Sequence, residues 1–447
     1  MNSSERISFS GMLEARRGFE LRLHTPAHQG RGAVKGFLPS QLFGRDVPYF
    51  TRNDLAAFEA RLAEIYGTSA TLCLTSGTSQ GVEAAVLALS RRHRRIWVLR
   101  NCHKSVINGL VLSGMEPVFL VPSGVVITPE ELEQALSCVQ GEKPTAIIFT
   151  YPTVEGWSPD MPGCIAVCRR HGLEIMVDES HGGHYPASTA LPASAIEMDV
   201  DIVLHSLHKY VGGLVQTALL HLPRTSRCGA EEITRGLDLL ETTTISNLLL
   251  LSIEKAVERL ISPEISEHIE KLVALLGGLK TRQYNGDGLM RLHVPAGVPV
   301  FDPLKLFLTS EYADPATLAR WFCEAGVDNE LINSEGVLFV FSMFNTAGDV
   351  RRFESFCREV KPRLSCSGLK IALQRYVMNQ PEMACLPRQA SLSPVEKIKV
   401  AAAQGRISAQ LMAKCPPGWP ILIPGERITG WHLESVGADC DILVVRQ

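Results

Sequence analysis

Short, unbroken apolar runs recur through the first half of the chain: Thr71–Thr75 (TLCLT), Ile96–Arg100 (IWVLR), Pro117–Val121 (PVFLV), Ala146–Thr150 (AIIFT), Glu174–Asp178 (EIMVD), Asp201–His205 (DIVLH) and Gln216–Leu222 (QTALLHL). Most are separated by stretches of roughly 10–15 residues with helical spacing, the alternation that βα units produce. Leu55, Phe58, Leu62 and Ile65 show that spacing, with charges between them. Thr128-Pro129-Glu130-Glu131 reads as a helix start, with Thr128 as cap, Pro129 in the first turn and Glu131 closing a capping box. Continuous rather than alternating apolar runs imply strands buried on both faces. The pattern therefore predicts an α/β fold with a mostly parallel seven-stranded sheet covered by helices. Ligands of such sheets bind beyond the carboxyl ends of the strands.

Two long helical stretches follow, at about 246–261 and 264–282. Short strands (Leu289–Val294, Val337–Ser342) and a helix from Asp314-Pro315 to Gly326 then suggest a second, smaller α+β unit. The expected division is an N-terminal arm over 1–50, a large domain over 51–290 and a small domain over 291–447. Thr25–Gly32 looks like a functional loop in the arm, and Cys415–Pro420 looks too Pro-rich for a regular element.

Composition narrows the classes. The chain has 447 residues, 45% hydrophobic and 20% charged, which excludes a disordered or fibrous protein. The net charge is -3, from 44 basic and 47 acidic residues, so nucleic acid is not an expected partner. The basic cluster Arg91–Arg95 reads as a solvated helix end. No apolar run approaches the roughly 18–20 residues that span a bilayer. The 12 cysteines include no C-x-x-C pair, and Cys164 and Cys168 read as buried thiols rather than metal ligands. With no signal peptide at the start, a reducing, cytoplasmic setting is expected.

Three strand ends carry candidate chemistry. After the first strand, Ser76-Gly77-Thr78-Ser79 opens a helix and offers backbone N–H groups and hydroxyls to an anion, though an ordinary helix cap looks the same. Asp178-Glu-Ser-His-Gly-Gly-His184 follows the fifth strand. Its carboxylate needs a cation or a turn to cap, and a zinc reading of His181 and His184 lacks a third ligand. After the sixth strand comes Ser206-Leu-His-Lys-Tyr-Val-Gly-Gly213. Its Lys209 is either a snorkelling surface lysine or a desolvated amine suited to Schiff-base chemistry. Taken together, an anion cradle, a carboxylate and an amine in one crevice meet the needs of pyridoxal phosphate (PLP): phosphate, pyridinium nitrogen and aldehyde.

These motifs resemble the Orn/Lys/Arg decarboxylases of PLP fold type I, in a short form without the N-terminal wing domain. The likeness rests on Ser76–Ser79, Arg100-Asn-Cys-His-Lys-Ser105, Asp178-Glu-Ser-His-Gly182, Ser206-Leu-His-Lys209, Gly405-Arg-Ile-Ser-Ala409, Pro416-Pro-Gly-Trp-Pro420 and Pro424-Gly-Glu426. The resemblance implies that Lys209 joins the cofactor aldehyde, Asp178 pairs with the ring nitrogen and His103 stacks on the ring. It implies that Ser76, Gly77, Thr78, Ser79 and Ser206 hold the phosphate with His208 beside it, and that His181 lies near the ring edge. Glu426 and Glu155 are the implied substrate contacts. Thr243, in Glu241–Asn247, would reach the phosphate of a second subunit, implying a homodimer with shared sites. Gln29, Val154, Ile245 and Asn247 depart from the family pattern, mostly on the substrate side.

The function so implied is PLP-dependent decarboxylation of lysine, ornithine, arginine or an analogue. Transamination, elimination or cyclisation in the same crevice is the alternative, with an arginine clamp on the α-carboxylate as its mark. A non-catalytic regulator would not need both Lys209 and Asp178.

Overall fold

The computed structural model describes residues 21–23, 52–139, 141–243, 245–284, 289–366, 378–414, 418–437 and 440–446. The expected arm over 1–50, with its Thr25–Gly32 loop and Gln29, lies outside these residues apart from Leu21–Leu23, which pairs in parallel with Val327–Asn329. Cys415–Pro417 also lies outside them.

All seven predicted runs are strands: β1 (Ala70–Leu74), β2 (Arg95–Leu99), β3 (Glu116–Leu120), β4 (Ala146–Thr150), β5 (Glu174–Asp178), β6 (Ile202–Ser206) and β7 (Ala218–Leu222). They form one sheet in the order β1-β7-β6-β5-β4-β2-β3. β7 is antiparallel to both neighbours, and the remaining pairs are parallel. β1 therefore points the same way as β2 to β6, and six carboxyl ends share one edge.

Alternation along these strands divides the core in two. Trp97, Leu99, Ile147, Phe149, Ile175 and Val177 face one way. They join helices Met161–Arg170, Asn247–Leu260 and Pro263–Tyr284 and the aromatic core of the C-terminal part. Ile96, Val98, Ile148, Met176, Ile202 and Leu204 face the other way, against α1 (Gly77–Leu89), α2 (Lys104–Ser113) and Ala230–Leu237. With apolar cover on both faces, each strand reads as a continuous run. Helix starts follow local chemistry. Thr128 Oγ1 accepts from Glu131 N at 3.2 Å while Glu131 returns the bond to Thr128 N at 2.9 Å. Asp314 caps Pro315–Glu324 in the same way.

The smaller C-terminal part begins with a four-stranded sheet of β8 (Arg291–Leu292), β9 (Lys305–Thr309), β10 (Leu331–Ile332) and β11 (Val337–Val340), in the order β8-β9-β11-β10. The expected strand over Leu289–Val294 is only two residues long, and Pro295 soon follows, where no ladder N–H is available. Beyond Ala347–Cys366 come two further strand pairs, Val395–Lys399 with Asp441–Val445 and Met412–Lys414 with Trp419–Leu422. The last corrects one expectation: Trp419-Pro420 does sit in a strand. The pair is two-stranded and shifts register at Met412/Ala413, a setting that tolerates proline.

Two other sequence readings take physical form. Cys164 and Cys168 are buried thiols, and burial pushes both up to about 12. The Arg91–Arg95 cluster is less solvated than expected, because Arg92 and His93 both reach Glu174 at 2.6 Å and Arg95 reaches Glu116 at 3.0 Å. Among the described residues no helix is long and apolar enough to cross a membrane.

Candidate active site

The common carboxyl edge of the sheet opens into a cavity of about 200 Å³ lined by Gly77, Thr78, Ser79, Asn101, His103, Ser105, Thr150, Val154, Asp178, Ser180, His181, His208, Lys209 and Trp419. Five strand ends and the C-terminal strand that begins at Trp419 thus converge on one space.

The anion cradle begins where β1 turns into α1. Gly77 has φ +81°, outside the range that side chains favour, and its N–H is held by the Gln216 carbonyl at 2.8 Å. Ser76, at the cap position, makes no capping hydrogen bond and does not line the cavity, whereas Gly77, Thr78 and Ser79 do. Open N–H groups at the start of a 13-residue helix favour an anion. Ser206 is buried, away from the cavity wall. Its hydroxyl lies 3.1 Å from His208 Nδ1 and so orients a ring that does line the cavity.

Asp178 ends β5 with its Oδ1 taking two bonds from Ser180, from the hydroxyl at 2.5 Å and the backbone N–H at 3.1 Å. The next residue, Glu179, points the opposite way into a sealed network: His205 Nε2 at 2.6 Å, Ser194 Oγ at 2.7 Å and Ala195 N at 3.0 Å. This anchor holds the turn that aims Asp178.

His103 caps α2 and shares a 2.8 Å contact with Ser105 Oγ. Its other side is set by Gly418, where an added Cβ would lie 2.7 Å from Cδ2 and 2.8 Å from Nε2. The Gly418 carbonyl accepts from Lys104 N at 3.0 Å. Burial lowers His103 to about 4, with the charges of Lys209 and Lys104 adding to the effect and Asp178 opposing it. Burial, then Lys209, brings His208 to about 4 as well. Lys209 sits in the four-residue turn Leu207–Tyr210, and its Nζ is 2.8 Å from His181 Nε2. His181 is held well below its ordinary value, first by burial and then by Lys209. Neutral imidazoles around an amine are suited to relaying its proton.

Two expected substrate contacts are displaced. Glu426 is fully buried, and it accepts from Ile423 N at 3.0 Å and pairs with His432 at 3.1 Å and Arg100 at 3.6 Å. Arg100 also donates to the Pro420 and Ile421 carbonyls, at 2.6 and 2.8 Å. The Pro-Gly-Glu loop therefore clamps the strand carrying Trp419 rather than facing the cavity. Glu155 is also off the wall, fully buried, and burial pushes its carboxyl up to about 7. Its neighbour Val154 takes the cavity position. Thr243 is exposed and does not line this cavity. The sequence does not single out Asn101, Ser105, Thr150, Ser180 and Trp419 as site residues, although all but Thr150 lie in the motifs marked above.

The donor set fits PLP: a helix-start cradle with hydroxyls, a slot beside a pinned imidazole, a carboxylate held from behind, and an amine. A profile of the Orn/Lys/Arg decarboxylase major domain matches residues 55–286, and one of the C-terminal domain matches 370–435. The chain belongs to the Orn/Lys/Arg decarboxylase family. Relatives include an arginine decarboxylase of Bacillus subtilis, 28% identical over 85% of this chain and 80% of the relative. An arginine decarboxylase of Halalkalibacterium halodurans is 26% identical over 96% and 92%. Among solved structures, a lysine decarboxylase of Francisella novicida superposes with a TM-score of 0.72 at 17% identity, over 89% of this chain and 73% of that one. A Sphingomonas wittichii serine palmitoyltransferase gives a TM-score of 0.60 at 17% identity, over 77% of this chain and 88% of that one. At such identities the superpositions speak for the fold, which is PLP fold type I.

Proposed function

We propose that this family member is a PLP-dependent decarboxylase of a basic amino acid: lysine, ornithine, arginine or a close analogue. The observation that carries the reading is the convergence of Lys209, Asp178, His103 and the Gly77–Ser79 helix start on one cavity. When bound, PLP supplies an electron sink for the bond broken at the substrate's α-carbon. The chain's residues do the rest. The Gly77–Ser79 turn and His208 would hold the phosphate, His103 would pack on the ring, and Asp178 would pair with the ring nitrogen. Lys209 would supply the amine that joins the cofactor, with His181 Nε2 2.8 Å away to exchange a proton with it.

The choice of bond rests on the wall composition. No arginine lines the described cavity, so nothing there clamps a carboxylate by a bidentate pair. A carboxylate beside Val154 and Trp419 is poorly solvated, and its charge disperses as CO2 departs. For a distal cation, the described wall offers the Trp419 ring, since Asp178 is committed to the cofactor. We place Thr243 at the phosphate of a second copy in a homodimer, and the enzyme in the cytoplasm. Borohydride reduction of the PLP-loaded protein followed by peptide mapping tests the assignment. A reduced pyridoxyl group on Lys209 is expected, and one on another lysine overturns it.

A further inference from the structure

Tyr210 follows Lys209 directly and is fully buried. Its hydroxyl lies 3.1 Å from His181 Nδ1, while the other ring nitrogen, Nε2, lies 2.8 Å from Lys209 Nζ. The imidazole is thus held between a phenol and the amine. The phenol is itself fixed, with the His184 ring centroid at 4.6 Å and Lys305 Nζ at 5.0 Å from its ring. Lys305 is anchored in turn by Asp302 at 3.7 Å, which also pairs with His184 at 3.2 Å.

A neutral imidazole has one N–H and one lone pair, so its two nitrogens must find opposite partners. When Lys209 is an ammonium it donates to Nε2, and the ring proton must then sit on Nδ1 and donate to the Tyr210 oxygen. When Lys209 is a neutral amine it accepts from Nε2–H, and Nδ1 must accept from the Tyr210 O–H. A hydroxyl can rotate to serve either state, whereas a backbone carbonyl or N–H could serve only one. Phenylalanine would fill the same space and serve neither.

We propose that Tyr210 is a positioning residue that lets His181 change tautomer as Lys209 gains or loses its proton, and so sets the pH at which the Lys209 amine becomes reactive. This rests on the reading of Lys209 as the cofactor-bearing amine. Removing the hydroxyl leaves an orphaned N–H in the ammonium state and an orphaned lone pair in the amine state. Buried orphaned N–H groups are the rarer and costlier of the two. Tyr210→Phe therefore favours the neutral amine and lowers the titration midpoint of Lys209. Because one bond is lost in either state, the shift is the difference between the two costs, about 0.5 pH unit or less. The other charges facing these groups are His103, His208 and Lys305 around His181, Asp178 and Lys104 around His103, and Asp302, Glu155 and Glu330 around Tyr210. All remain in the variant, so the difference isolates the phenol.

The test needs no turnover. Lys209 in the full-length, cofactor-free protein is labelled with a small amine-reactive acylating reagent across pH and read by peptide mass spectrometry, in wild type, Tyr210→Phe, His181→Ala and the double variant. The expected result is a lower midpoint in Tyr210→Phe and no further shift from Tyr210→Phe once His181 is removed. An unchanged midpoint in Tyr210→Phe overturns the proposal. So does an equal shift with and without His181, because mere packing would act in both backgrounds. If the function reading fails instead, pyridoxyl mapping places the cofactor elsewhere while this titration keeps its own answer.

Discussion

Replacing Glu426 by alanine separates a structural role from a substrate-reading one. The Arg100 guanidinium, 2% exposed, lies 3.6 Å from the Glu426 carboxylate and ties the Pro420 and Ile421 carbonyls to the mouth of the cavity. Gross attraction at that distance is about 5 kcal/mol at an effective dielectric near 20. Truncating one half of a buried pair costs about 3–5 kcal/mol, because the other charge stays buried without compensation. The Ile423 N–H and the His432 ring also lose their acceptor. Cooperative unfolding of 447 residues at about 2.1 cal/mol/K per residue gives an entropy near 0.9 kcal/mol/K, so this loss lowers the melting temperature by roughly 3–5 °C. Calorimetry of the cofactor-free protein measures it. The substrate-contact reading predicts the reverse pattern: an unchanged melting temperature and a KM for basic amino acids raised more than about tenfold. That second outcome would refute the buried-clamp account.

Other perturbations follow from the same geometry. His103 sits at about 4 when folded against an ordinary 6.5, so the unfolded chain takes up a proton first as pH falls. The neutral ring's contribution, about 3 kcal/mol, is complete above pH 6.5 and lost toward pH 4. His103→Gln should reduce the slope of denaturation free energy against pH in that window, with His208 and His181 keeping theirs. Trp419→Leu should raise KM for basic amino acids by about 2- to 30-fold, the range of a cation–π contact, with cofactor affinity unchanged in a spectroscopic titration. Gly418→Ala puts a Cβ 2.7 Å from the His103 ring at φ +93°, and should weaken PLP binding in the same titration.

The strands were legible because burial on both faces leaves an apolar run that no helix period explains, and each fell within about two residues of its observed bounds. Asp178 and Lys209 were legible for a related reason: charged groups at buried strand ends demand an explanation. Strand order was not, since the reversal of β7 depends on a loop returning between β6 and β1. The fate of Glu426 was hidden too, because its partner Arg100 is more than 300 residues away and belongs to a motif valued for His103. Trp419 was overlooked because its prolines argued against structure, yet a two-stranded edge pair accommodates Pro420. Val154 lines the cavity, in keeping with its substrate-side reading, while Glu155 is turned inward beside Gly156, which packs against the buried stem of Lys305, where an added Cβ would lie 2.8 Å from Cδ.

The most direct test of the central claim is product analysis of the PLP-loaded enzyme given lysine, ornithine and arginine, each labelled with carbon-13 at the carboxyl. The account predicts labelled CO2 from at least one of them, in one-to-one yield with the corresponding amine and abolished in Lys209→Ala. Labelled keto acid, or loss of ammonia or water with the carboxyl carbon retained, would contradict it.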